Sequence, residues 1–351
     1  MEKQQSSKKY ISSFLFLIVL MIITYCYIFK NCNFKGLGQV VCESKIQYLL
    51  LGIAAMFVYI GLEGVNFHII GHSLGIKFGY IKSFCYACID IYFCGITPSA
   101  TGGQPILAYY MSKDDISISK SSIMILLYTV VYKVVLLLLG SLVLIVHFDF
   151  IAQSPLTIGL FILGIVINIV IITVCLMCMY STKIVQGIVV KTINLLAVLH
   201  IVKKPQDKIK VFYSLLDDYQ ASAQFVKNNH RVLWRMLFIT LVERVAYFSV
   251  GYFVYKALGL NEFGIRDIVA IQVVISITVD SLPLPGAVGV SEAMLFLLYT
   301  KVYMDDLIAP AILLTRGINF YMMLLLTGIV TLVFHLCCRR PGKVLKGETI
   351  K

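Results

Sequence analysis

Thr97-Pro98-Ser99-Ala100-Thr101-Gly102-Gly103-Gln104-Pro105 and Pro283-Leu284-Pro285-Gly286-Ala287-Val288-Gly289-Val290-Ser291-Glu292 interrupt sequence that otherwise reads as membrane helix, one break in each half of the chain. Prolines remove backbone donors and glycines unfix the chain, so neither stretch can face lipid with open peptide groups. Each has to lie within protein or line a wet cavity. Interrupted segments at corresponding places in two halves are the strongest sequence sign of a transporter-like binding site.

The surrounding composition agrees. Of 351 residues, 59% are hydrophobic and 14% charged, with a mean hydropathy of +0.89. A soluble domain has an apolar share of roughly 45–50%, so the reading is an all-α polytopic membrane protein. The net charge of +12 collects in Lys8-Lys9, in the stretch from Lys183 to Arg235, and in Arg339-Arg340, Lys343 and Lys346. Basic loops beside spans report cytoplasmic placement and affinity for anionic head groups, so no nucleic-acid binding is inferred. Cys26, Cys85, Cys88, Cys94, Cys175 and Cys178 sit in apolar runs and read as small packing residues despite the Cys85-x-x-Cys88 spacing. Only Cys32 and Cys42 share a loop that could face an oxidising compartment, and a bridge between them stays open.

A span needs about 20 apolar residues. Six stretches qualify: Ile11–Phe29, Ile46–Ile70, Ser121–Phe148, Leu156–Met179, Val232–Leu258 and Leu307–Leu336. The first follows a basic start but lacks a cleavage site, so it is expected to be a retained helix rather than a signal peptide. Between the spans lie the two broken segments, Ile81 to Met111 and Ile268 to Tyr303. The arms of the second are expected to be roughly 14 to 17 residues, about 21–26 Å as helix, which suits a re-entrant hairpin.

Charge asymmetry chooses between topologies. If each broken segment crosses an even number of times, the loop from His147 to Pro155, which lacks Lys and Arg, lies outside. The lysine-rich centre and the basic tail then lie inside with the N-terminus; a single crossing by Ile81–Ile96 would translocate the lysines. The expected hairpins enter from opposite faces, as an inverted-topology repeat produces. The expected organisation is one transmembrane domain: a first half 1–180, a connector 181–231, a second half 232–338 and a basic tail 339–351. The connector reads as two amphipathic helices lying on the inner leaflet, or equally as a plain linker.

Ionisable residues within apolar spans are costly and are functional candidates by default. Here they are Glu63, Asp90, Lys133, Glu243, Arg244, Asp280, Glu292 and Arg316. Asp280 and Glu292 flank the second break, and Arg316 is expected to pair with one of them. Glu243 and Arg244 point about 100° apart on a helix, so each is expected to seek a partner elsewhere. Gly102, Gly103 and Gln104 offer backbone N–H groups and an amide to an anionic group, although glycines also permit close helix contact. His68 and His72 have metal-compatible spacing but an incomplete ligand set, which favours packing. No P-loop, nucleotide fingerprint or nucleophile triad is present, and no metal or cofactor is expected.

The first run, followed by Tyr109-Tyr110 and Lys113, resembles the first signature of the lysylphosphatidylglycerol synthase transmembrane family. Pro283-x-Pro285-Gly286-x-x-Gly289-x-x-Glu292 resembles its second, and the resemblance covers nearly the whole chain. It implies a bacterial inner-membrane protein with both termini cytoplasmic. Its head-group site would include Gly102, Gly103, Gln104, Tyr109, Lys113, Pro285, Gly286, Gly289 and Glu292. Full-length family enzymes join such a region to a soluble domain that transfers lysine from lysyl-tRNA to phosphatidylglycerol. The membrane region is implicated in flipping the product outward, giving resistance to cationic antimicrobial peptides. This sequence ends shortly after its last span, so flippase-like handling of an anionic or lysylated phospholipid, or of a lipid-linked head group, is the leading expectation. A phosphatidylglycerol lysyltransferase acting with a separate soluble transferase is the alternative, and a non-transporting scaffold is a third.

Overall fold

A computed structural model describes residues 40–97, 102–152, 154–181, 186–187, 190–191, 223–224, 229–279 and 287–337. The expected span Ile11–Phe29, nearly all of the connector, Cys32, Asp280, Pro285, Gly286 and the basic tail lie outside them. Among the described residues every regular element is helical. Besides the single turn Phe148–Ile151, they are α1 (Ile46–Ser73), α2 (Tyr80–Ile96), α3 (Gly103–Lys113), α4 (Ile118–Val146), α5 (Pro155–Tyr180), α6 (His230–Ala257), α7 (Ile265–Val279), α8 (Val290–Tyr299), α9 (Asp305–Arg316) and α10 (Met323–Cys337). A π turn, Gly317–Met322, joins α9 to α10 into one apolar stretch of 33 residues. With α1, α4, α5 and α6 this gives five helices long and apolar enough to cross a membrane, at the places the hydropathy indicated.

Helix ends follow local chemistry. Ser117 caps α4 by accepting from the Lys120 N–H, and Ser154 caps α5 through the Thr157 N–H, with Pro155 in the first turn where its missing donor costs nothing. Both broken segments are helix–break–helix. The second has arms of 15 and 10 residues. The return arm is shorter than expected because α8 starts only at Val290, after Gly289, whose φ of 91° suits glycine.

Cross-contacts fix the directions. The Lys45 N–H donates to the Ala257 carbonyl at 2.9 Å, and Asn66 bonds Thr240, so α1 and α6 run antiparallel along the most extensive helix pair of the bundle. The end of α1, both ends of the α2–α3 hairpin and the starts of α4 and α6 therefore share one end of the bundle, here the near end. His147, after α4, faces Asp267 at the start of α7. The second hairpin thus opens at the far end, and the two hairpins are opposed.

The halves repeat one plan in reverse orientation. Ile46 and His230, Tyr80 and Ile265, Gly103 and Val290, and Ile118 and Asp305 begin corresponding helices, each pair 184–187 residues apart. Exposed apolar side chains such as Leu138, Leu142, Val166, Val170 and Leu325 face outward from this bundle, as lipid contact requires.

Candidate functional site

The first hairpin is stapled at its base and at its tip. At the near end Asp114 accepts from the Tyr86 hydroxyl at 2.6 Å and pairs with Lys82 at 2.9 Å, holding the end of α3 beside the start of α2. At the tip Thr97 Oγ1 accepts from the Gly102 N–H at 2.9 Å and donates to the Phe93 carbonyl at 2.6 Å. Gly103 is buried against α2, where an added Cβ would stand 2.8 Å from the Asp90 carbonyl oxygen. Gln104 Nε2 donates to Thr129 Oγ1 at 2.9 Å and ties the tip to α4. Thr129 is eleven residues into α4, or about 16 Å from the near end, so the tip sits near the middle of a membrane-sized helix.

The expected head-group residues of this hairpin separate into two groups. Gly102, Gly103 and Gln104 are at the tip. Tyr109 and Lys113 are at the base, where Lys113 Nζ stands 4.6 Å from the Tyr109 ring centre. Tyr109 is exposed, while Tyr110 is buried and meets His335 Nδ1 at 2.8 Å.

At the second hairpin, Glu292 Oε2 accepts from the Gly289 N–H at 2.6 Å and from the Ser291 hydroxyl at 3.1 Å. Its Oε1 accepts from Arg316 Nε at 2.7 Å, the ion pair expected from the sequence. The carboxylate is fully buried and Arg316 nearly so. One group therefore caps α8 and clamps the hairpin to the spanning helix behind it. Ala287, just before, holds a φ of 52°, a strained conformation for a residue with a Cβ. The clamp stands where Gln104–Thr129 stands in the first half: both join the first turn of a return arm to the following spanning helix, at sequence separations of 25 and 24.

Between the tips lies a buried polar core on the α1–α6 seam. Glu243 accepts from Asn66 Nδ2 at 3.0 Å, from the Tyr128 hydroxyl at 2.9 Å and from Arg244 Nη2 at 2.7 Å. Both neighbours find the expected partners in the other half, Asn66 and Tyr128 for Glu243 and Tyr59, Tyr128 and Tyr132 for Arg244, but the last contact corrects the expectation that they do not pair with each other. The guanidinium folds back because the Tyr59 and Tyr132 rings, with centres 5.0 and 4.0 Å from its carbon, hold it beside the carboxylate. Glu63 faces Asp90, Glu243 and Arg244, and Lys133 lies over the Tyr132 ring at 5.0 Å. Tyr59 packs on Tyr247 at 5.3 Å, and Tyr247 neighbours Arg316. A chain of polar and aromatic groups thus runs from Asp90 at one tip to Glu292 at the other.

Sequence reasoning passed over Tyr59, Tyr247, Asn66 and Thr129. Asn66 was open to detection, since an amide inside an apolar span demands partners. The tyrosines were not, because their spacing reads as ordinary core. His68 and His72 pack ring to ring at 4.4 Å, with Tyr80 stacked on His68 at 3.8 Å. No curated protein matches the chain. The family model described as the lysylphosphatidylglycerol synthase TM region matches residues 11–327, so the chain belongs to that family, an integral membrane group related to lipid chemistry.

Proposed function

We propose that the chain binds a phospholipid head group between the two hairpins and passes it between leaflets, the acyl chains staying in the bilayer. The observation that carries this reading is the pair of opposed hairpins, whose tips approach mid-height and are joined by a continuous polar core. A head group needs polar partners at the depth where lipid offers none, and two gates opening to opposite ends suit alternating access. The exposed Tyr109 with Lys113 suits a first contact for an anionic head group at the near end.

The test is reconstitution of the full chain into vesicles carrying dye-labelled phosphatidylglycerol, with dithionite added outside. Dye from the inner leaflet should become bleachable with the protein and stay protected without it. Equal protection in both samples would defeat the reading.

The same reading places the near end in the cytoplasm, on the strength of the lysine-rich connector. Single cysteines introduced at Lys203 and Arg340 should then react with an impermeant maleimide only after the cells are opened. One at Asp149 should react in intact cells. Labelling of Lys203→Cys in intact cells would reverse the orientation.

A further inference from the structure

Three carboxylates, Glu63, Asp90 and Glu243, lie within electrostatic reach of one guanidinium, that of Arg244, which pairs directly with Glu243 at 2.7 Å. Counting Lys133, which packs over Tyr132, the cations among the described residues number two. Among these groups one negative charge is therefore left over, and at the depth of the buried Glu63 an uncompensated carboxylate does not persist as an ion. Glu243 is not the odd member, since Asn66, Tyr128 and Arg244 all donate to it.

Unmet hydrogen-bond capacity marks the same spot. Glu63 Oε1 and Asn66 Oδ1 are buried acceptors without a donor, on side chains that are 2% and 0% exposed. They lie three residues apart on α1, so both belong to one face. A proton on Glu63 turns an orphan acceptor into a donor and removes the surplus charge together. Asp90 is the accessible member: it is partly exposed, lies against Gly103 at the hairpin tip, and has the weak Cys94 thiol as its hydrogen-bond donor at 3.7 Å.

We propose that Glu63 and Asp90 form an intramembrane proton-binding site, loaded through Asp90, whose occupancy is coupled to movement of the first hairpin. The groups that face it are Tyr59 on α1, Cys88 and Cys94 on α2, Tyr128 and Tyr132 on α4, and Glu243 and Arg244 on α6. Loading forms one O–H bond with a proton taken from water, and release returns it. With the site empty, Asp90 carries a negative charge against the N-terminus of α3; with the site loaded, that attraction weakens and the tip is freer to part from α2. The coupling rests on the lipid-transfer reading; the proton site does not.

Infrared spectra of the full chain in phosphatidylglycerol–phosphatidylcholine vesicles test the site. A protonated-carboxyl carbonyl band should be present at neutral pH, bleach on raising the pH, and disappear in Glu63→Gln/Asp90→Asn. Glu63→Gln keeps the side-chain shape and supplies a donor, so the variant should melt at or above the wild-type temperature. Absence of the band from folded wild-type protein, its persistence in the double variant, or its loss on adding sodium at constant pH would overturn the site. Dye-lipid movement with and without a pH gradient tests the coupling. Wild-type movement should change several-fold with the gradient, and movement in the double variant should ignore it. A gradient-insensitive wild type overturns the coupling; absence of movement in every condition overturns the coupling and the lipid-transfer reading together, while the infrared result still judges the site.

Discussion

Arg316→Met is expected to destabilise the protein by about 3–5 kcal/mol, the usual consequence of leaving one member of a buried ion pair alone. Glu292 is fully buried, and its pair with Arg316 is the contact that fastens the second hairpin to the α9–α10 helix. Without the guanidinium, the carboxylate keeps neutral donors such as the Gly289 N–H and the Ser291 hydroxyl. Adding Glu292→Gln to the variant should recover most of the loss, because the amide oxygen can still cap α8 and no charge remains to be hidden. Glu292→Gln alone should be destabilising in its turn, since it takes the carboxylate from the buried Arg316 guanidinium, which stands 4.3 Å from the Phe320 ring centre. Thermal unfolding in detergent, followed by the fluorescence of a monodisperse fusion, measures all three. If Arg316→Met melts with the wild type, or the double variant melts below it, the pair is not the clamp described here.

The architecture was legible because two strong signals agreed. Long apolar runs fixed five helices to within a few residues, and Pro/Gly clusters marked both breaks. Charge asymmetry then implied an even number of crossings, and hence hairpins opening at opposite ends, as the His147–Asp267 and Tyr86–Asp114 contacts have them. The repeat itself was hidden from residue identity. Its trace is positional: Gln104–Thr129 in one half and Glu292–Arg316 in the other solve the same problem, anchoring a hairpin at mid-depth, with a neutral pair and a charged one.

The site was legible in part, for a physical reason. A lone charge in an apolar run announces itself, so Glu63, Asp90, Glu243, Arg244, Glu292 and Arg316 stood out. Partners do not, because a tyrosine serves equally as core and as a hydrogen-bond or π partner. Tyr128 and Tyr132 do the second job and were noticeable beside the buried charges, whereas Tyr59 and Tyr247 do it too and gave no pattern of their own. The expectation that Glu243 and Arg244 would not pair with each other failed for a related cause. Helix geometry separates two adjacent Cα–Cβ bonds, but it does not govern where the end of a long arginine goes once aromatic rings hold it.

Gly103 distinguishes a cradle for a ligand from a contact between helices, and the structure shifts the expected result. An anion cradle with open N–H groups would tolerate bulk in folding and lose only transport. Gly103 instead lies against α2, and an added Cβ would stand 2.5 Å from Asp90 Oδ1 and 2.8 Å from its backbone carbonyl. The carboxylate can turn aside, but the carbonyl belongs to a helix and cannot. Gly103→Ala should therefore cost about 1–3 kcal/mol, the range for overfilling a packed contact. Gly103→Leu should cost more, by prising the return arm from α2 and pulling Gln104 off Thr129. Lipid movement should fall with the melting temperature across Gly, Ala and Leu. A Gly103→Leu protein that melts like the wild type yet moves no lipid would restore the open cradle and remove the close contact as the reason for glycine.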